Sequence, residues 1–407
     1  MPAMQVKRLS RLGAKIIDKL PEECHDAPYE RHGVSLHRDS GAVRMSAPVV
    51  VRRGRVIVQR LFDLAYAIDL GQARTLCADL PLADALPGPL TFGVPPLRVR
   101  LPPITIRIGD RMLTGEISAH LYDFGAITLA ITFPVEDLPW AAFVEFARQV
   151  EDGTAPNQPS APWTSLLESV RPRFAAALER PGAAEIQEDY QLVVVDAFAE
   201  APGAALYRMV DLAPLLAADA RPLSEDTRET LLRHRFAYLA DDCVVVTRDR
   251  AFLYQPGGDA GVAAVLEVAN AQLLELRYYA ALLDAELPRM YDLVAHTRKV
   301  SPMSAPSQLS RLARRLYTLV AEVTELTERV DNALQVTGSP YLARVYTTTL
   351  ELFGVPALGA AVDSKLAIVR DTYAALYDEA SVSRAGFLEI TIVVLIAVEI
   401  VLAFLRL

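Results

Sequence analysis

The run Phe387 to Leu405, FLEITIVVLIAVEIVLAFL, is the strongest constraint on this chain. It holds two charged residues and no Pro or Gly. As a helix rising 1.5 Å per residue it spans about 28 Å, close to the thickness of a hydrocarbon core. Leu, Ile and Val cover every face of it, whereas a core helix of a water-soluble domain usually carries one apolar stripe. We therefore expect a C-terminal membrane anchor, followed only by Arg406 and Leu407. Arg384 and Arg406 flank it on both sides, so the positive-inside rule barely biases its orientation. The N-terminus lacks the apolar core of a signal peptide. The bulk of the chain is thus expected to be cytoplasmic at a bacterial inner membrane, or at the mitochondrial inner membrane in a eukaryote. Glu399 lies inside the run. A carboxylate there is costly unless protonated or partnered, so it marks either a helix contact or proton site, or a protonated or snorkelling side chain near the far interface.

The net charge of −9 is unevenly placed. Residues 1–60 carry twelve Lys/Arg against six Asp/Glu, which leaves the remainder strongly acidic. An acidic body argues against a sequence-specific nucleic-acid surface, which rests on neutralising phosphates. Residues 1–20 pair a basic face with Leu9, Leu12, Ile16 and Leu20. This is a tail, a membrane-surface helix or a presequence, with Met45 an alternative start. Cys24, Cys77 and Cys243 are odd in number and far apart, which fits a reducing compartment. The loose group His25, His32 and His37 reads as a solvated tail and no metal site is expected.

Between residues 55 and 261 the pattern is mixed α/β. Strands are expected at Arg55–Leu61 and Ile104–Ile108, and a hairpin at Glu116–Leu121 and Ala126–Phe133 turning on Tyr122-Asp123-Phe124-Gly125. A helix follows over Leu138–Val150, then the linker 152–162, DGTAPNQPSAP. Leu192–Phe198, Phe236–Leu239, Val244–Thr247 and Phe252–Tyr254 read as strands, with short helices over Leu212–Ala218 and Glu225–Arg235. The order resembles a duplicated β-α-β-β-α unit, ferredoxin-like in outline, with halves 55–151 and 163–261 behind a basic, poorly ordered segment 1–54.

Residues 262–297 hold the clearest periodicity. Val262, Leu266, Ala269, Leu273, Leu276, Ala280, Leu283, Leu287, Met290 and Val294 alternate in steps of four and three, a heptad seam with Pro288 set to kink it. A second seam runs from Leu309 to Ala333, and the pair predicts an antiparallel hairpin. A third helical stretch begins near Tyr341 and breaks at Gly354-Val355-Pro356. The region 262–380 is thus expected to form a coiled-coil stalk toward the membrane, and the fold class is α+β.

The chain has no GxxxxGK[ST] loop, no GxGxxG after a strand, no GxSxG elbow and no HExxH, so neither a catalytic nor a cofactor site is expected. The densest polar strip lies on the first seam helix. Asn270, Glu275, Arg277 and Tyr278, with Glu399 further on, are the interaction candidates. The strip is either the solvated side of a coiled coil or a surface that docks on the α/β body or a partner.

The run LEVANAQLLELRYYAALLDAEL (266–287), the terminal LIAVEIVL (395–402) and the hairpin AHLYDFGAITLAITF (119–133) resemble the family called "required for meiotic nuclear division". The resemblance covers about residues 55–407. Thr132 and Phe133 stand where that family commonly has Trp, and Pro288 interrupts a helix that is usually continuous. The resemblance implies a membrane-anchored, non-enzymatic scaffold or tether, a homo-oligomer, and for the mitochondrial member a role in organellar translation near ribosomes. The alternatives are an oligomer conducting ions along Glu399, and a nucleotide-sensing membrane protein using the Gly257-Gly258 turn.

Overall fold

The run from Val50 to Asp63, exposed at Arg52 and Arg53 but enclosed along its second half, is the axis of the fold. In the computed structural model it forms β1 (Val50–Asp63), followed by β2 (Ala65–Ile68), α1 (Leu70–Leu76), β3 (Thr91–Phe92), β4 (Leu97–Ile108), β5 (Arg111–Leu121) and β6 (Ala126–Pro139). Next come α2 (Trp140–Thr154), α3 (Trp163–Phe174), β7 (Leu178–Pro181), β8 (Gln187–Phe198), α4 (Leu206–Met209), α5 (Ala213–Ala217) and α6 (Glu225–Leu231). The chain continues with β9 (Arg235–Phe236), β10 (Cys243–Val246), β11 (Arg250–Tyr254), α7 (Val262–Thr297), α8 (314–325), β12 (Leu334–Gln335), α9 (Pro340–Phe353) and α10 (Val355–Leu405). The structure describes residues 48–405 except 84–89, 110, 157, 159–160, 183–184, 204–205, 220, 259–260, 298–310, 312–313, 326–333 and 336–338, and the side chains of 91–92, 293–297, 334–335, 376–391, 401 and 403–405 are also outside the described set. The basic stretch 1–20, the histidines at 25, 32 and 37, and parts of the linker and second seam lie outside the described residues.

Eight strands form one sheet in the order β4-β5-β6-β1-β8-β11-β10-β9. Val56 and Val58 point to one face, where Phe143 and Val150 of α2 and Leu166 and Phe174 of α3 complete a core. Ile57 and Leu61 point to the other, against α7, α9 and α10. A central strand buried on both faces explains why its apolar run is nearly continuous, and the result is a mixed α+β body with helices on both sides of the sheet. The charged residues that obscure the strand ends in sequence are paired across the sheet: Arg55 with Asp196 at 2.7 Å and Arg60 Nε with Gln187 at 2.9 Å.

The two halves share a strand order but not a pairing sense. Each has a first strand next to the last strand of a three-strand meander, β1 beside β6-β5-β4 and β8 beside β11-β10-β9. β1 and β6 are antiparallel, whereas β8 and β11 are parallel. Only the second half therefore needs a crossover, which α4 to α6 provide, and the first is not a copy of it. Helix α3, which starts after Pro162 and contains Pro172 in its last turn, has no counterpart in the sequence reading.

The expected coiled-coil stalk is replaced by a core helix. In its first half α7 buries residues outside the heptad seam as well, including Val265, Val268, Ala271 and Leu274. It lies on β1, β6 and β8 and is covered by α9 and α10. A helix apolar on most of its circumference gains more by being enclosed than by pairing along one seam, at about 1.5–3 kcal/mol for each large side chain buried. Pro288 lies within α7 without ending it. Further along, the described part of α8 lies against α7, with Arg315 on Glu286 at 3.0 Å.

α9 ends at Gly354, whose left-handed φ of 75° caps it, and α10 leaves at 62°. Val355, Val362, Leu366 and Val369 tie the start of α10 to the body. At its other end Val393, Leu395 and Ile396 are exposed. Among the described residues no single helix is long and apolar enough to cross a membrane; the bent pair of α9 with Val355–Ala375 meets the criterion by length and composition only. Much of the expected anchor, 387–405, falls on side chains outside the described set.

The hairpin between β5 and β6 turns where expected. Gly125 N–H donates to the Tyr122 carbonyl at 3.2 Å, and the Gly125 carbonyl accepts from Leu64 N–H at 3.1 Å. Gly125 has φ +103°, and a Cβ there would sit 1.8 Å from the Ala65 carbonyl oxygen. Gly125→Ala is expected to cost at least about 2 kcal/mol in urea unfolding, from backbone strain and the clash together.

Candidate functional site: a polar seam under the long helix

Several polar residues of α7 are enclosed between the sheet and the neighbouring helices. Glu267, Asn270, Gln272 and Glu275 are all buried, although each is a residue type usually found at the surface. Glu267 and Glu275 meet residues of the sheet, whereas Gln272 accepts from the Tyr346 hydroxyl of α9 at 2.9 Å. β5 presents His120 and the turn after it Tyr122 opposite Glu267, and the end of β1 presents Asp63 near Glu275.

The first group is compact. One Glu267 carboxylate oxygen, Oε1, accepts from the Tyr122 hydroxyl at 2.7 Å and lies 2.7 Å from His120 Nδ1. The tight hairpin turn fixes Tyr122, which stacks on Phe124 with centroids 5.1 Å apart. Burial pushes the Glu267 carboxyl up, but the charge and hydrogen bond of His120, then Arg98 and Tyr122, outweigh it and hold the group down at about 2. Glu267 is thus an ionised carboxylate at neutral pH, and it receives the Nδ1–H of His120. The other ring nitrogen, Nε2, is buried and has no protein partner.

Beside this group is a cavity of about 570 Å³ between the sheet and the first turns of α7, closed by Ala263, Ala264 and Glu267. Strand register sets out its floor. Arg98 pairs with His120 at one end, and Arg100 pairs with Ser118 one row along. Ile57 and Leu192 are opposite each other in the middle. Arg55, bound to Asp196, stands toward the far end.

The second group lies further along α7. Glu275 accepts from the Tyr279 hydroxyl at 2.7 Å, and its other oxygen has no protein partner. Burial, then the neighbouring Asp63, raises the Glu275 carboxyl well above the usual range, while Tyr279 opposes the shift. Burial raises Asp63 to about 7. A cavity of about 480 Å³ between this region and α8 is lined by Asp63, Tyr278, Glu286, Arg315 and Glu322. Arg180 bonds Glu322 at 2.5 Å and lies 3.5 Å over the Tyr66 ring.

Of the residues singled out from sequence, Asn270 is buried with its amide nitrogen unpartnered inside the protein, and Glu275 joins Asp63. Arg277 is ion-paired with the buried Glu188 of β8, and Tyr278 lines the second cavity. The strip docks on the body. Glu399 stands apart, exposed near the end of α10. Sequence reading missed His120, Tyr122, Asp63 and Arg98. A histidine between Ala119 and Leu121 at the end of a hairpin strand was the available signal, but its partner lies 147 residues away. Among the described residues no group of three or more His, Cys, Asp or Glu side chains could hold a metal ion.

The family model described as "Uncharacterized protein MJ0711, N-terminal domain" matches residues 53–260, just over half of the chain. The chain belongs to this family. The family domain coincides with the sheet body from β1 to the loop before α7, so it contains the floor of the first cavity while Glu267 comes from the helix beyond. A relative from Methanocaldococcus jannaschii, named "Uncharacterized protein MJ0711", is 22% identical over 239 residues, which are 58% of this chain and 72% of the relative. No solved structure matches the chain.

Proposed function

We propose that the protein is a membrane-anchored, non-enzymatic tether, in which the sheet and α7 form a binding head and α10 is the arm. The observation that carries this reading is α10 itself. It is a helix of 51 residues, about 76 Å long, held to the head through Val369 and ending in exposed Ile, Val and Leu. An exposed apolar run of this length needs lipid or other apolar helices around it. The resemblance to the meiotic nuclear division family supports the same reading, and with it a homo-oligomer near the translation machinery at a bacterial or mitochondrial inner membrane. The buried polar seam supports a rigid head, since each satisfied polar contact fixes the register of α7 on the sheet. A pull-down of tagged full-length protein from mildly solubilised membranes, beside a chain ending at Ala380, tests the division of labour. The same protein partners are expected with both chains, ribosomal proteins among them. Recovery of copies of the chain alone would remove the translation role.

A second reading, ion conduction by an oligomer, draws on Glu399 within the apolar end of α10. It requires ion flux in reconstituted vesicles that Glu399→Leu abolishes.

A further inference from the structure

We propose that the cavity under the N-terminus of α7 is a binding site for a small hydroxylated organic anion. Three side chains on its wall are at least nine-tenths buried and each has a polar atom without a protein partner: Gln59 Oε1, His120 Nε2 and Gln255 Nε2. Arg98 Nε is buried and unpartnered at the same end as His120. Buried polar groups are nearly always satisfied, and four around one cavity make a set of donors and acceptors shaped for something that enters it.

The charge pattern selects the class. Asp196 is taken up by Arg55 at 2.7 Å, and Glu267 by His120 and Tyr122. Glu116 lies on the same face of β5 as His120 but four residues away, about 13 Å along the strand. The end of the cavity at Arg98, where a buried guanidinium N–H is unclaimed, is therefore the cationic end. A carboxylate or phosphate group fits there. Gln59 Oε1 is an acceptor and so takes a hydroxyl hydrogen, while Ile57 and Leu192 form an apolar floor for the carbon skeleton. Gln255 offers an amide hydrogen to a further oxygen at the far end. The site is independent of the membrane reading, because most of its walls belong to the family domain.

The test is thermal unfolding and calorimetric titration of the full-length chain in detergent with ribose 5-phosphate, with citrate, and with uncharged ribose. Ribose 5-phosphate or citrate is expected to raise the melting temperature and bind saturably, and whichever does so separates phosphate from carboxylate. Ribose is expected to do neither. Arg98→Gln is expected to weaken binding about tenfold or more, as loss of a charge-assisted hydrogen bond should. Gln255→Leu is a second, milder variant should Arg98→Gln fail to fold, and Arg221→Gln on the exposed surface is expected to bind as wild type. The proposal is overturned if neither anion binds, if ribose binds as well as they do, or if the folded variants at Arg98 and Gln255 bind unchanged.

Discussion

Glu267→Ala is expected to cost about 3–5 kcal/mol of stability, read as a lower urea midpoint with an unchanged slope. The substitution removes the shared acceptor of His120 and Tyr122, both almost fully buried, and leaves their polar atoms facing each other across a hole. Most of the cost comes from stranded partners rather than from the net worth of the pair. Combining Glu267→Leu with His120→Leu and Tyr122→Phe is accordingly expected to recover much of the loss, since an apolar replacement of a whole buried polar group is often neutral. A loss below about 1 kcal/mol for the single alanine would place Glu267 in contact with water, contrary to the docking of α7 described above.

Asp63 is expected to make stability fall as pH rises. Its carboxyl is held at about 7 in the folded chain, against 3.8 unfolded, so between those values the folded state binds the extra proton. Its contribution is fully present below about pH 4, is lost as pH rises through 7, and amounts to about 4 kcal/mol across that window. The groups around it agree with the direction. Glu275 and Glu322 are acidic, Tyr278 is half-buried, and Arg180 is engaged by Glu322 and the Tyr66 ring. Asp63→Asn is expected to flatten the curve of unfolding free energy between pH 4 and 7 and to exceed wild type at pH 8. A wild-type curve that is flat or rises through this range would refute the assignment. Glu267 acts in the opposite sense and in a separate window. Its depressed carboxyl gives stability above about pH 4.5 that is lost as pH falls toward 2, so the two slopes can be told apart.

The sequence made some of this legible for identifiable reasons. The bounds of α7, 262–297, follow from a seam of ten apolar residues, and the hairpin turn follows from Gly125, whose positive φ other residues rarely adopt. The setting of α7 was not legible. A heptad seam looks the same whether the helix pairs with one partner or is enclosed by a sheet and two helices, and what decides is the apolar content of the other faces, Val265, Val268 and Leu274 among them. The polar strip misled in a similar way. Glu267 and Glu275 on a helix read as solvated until His120 and Asp63 are brought opposite them, and both arrive from strands well over a hundred residues earlier. Strand β1 was found but cut short, because Arg52, Arg53 and Asp63 at its ends look like loop residues. The sheet order carries least local signal of all: the parallel pairing of β8 with β11 depends on the path of α4 to α6, which short helices in a polar stretch do not announce.

Flotation of the chain with liposomes of mixed anionic and neutral lipid tests the central claim most directly. Full-length protein reconstituted from detergent is expected to float with the vesicles and to resist extraction by high salt and by carbonate at alkaline pH. A chain ending at Ala380, which keeps the packing of α10 through Val369, is expected to stay folded and remain at the bottom of the gradient. Full-length protein that stays at the bottom, or a truncated chain that floats equally well, would contradict an anchor at the end of α10.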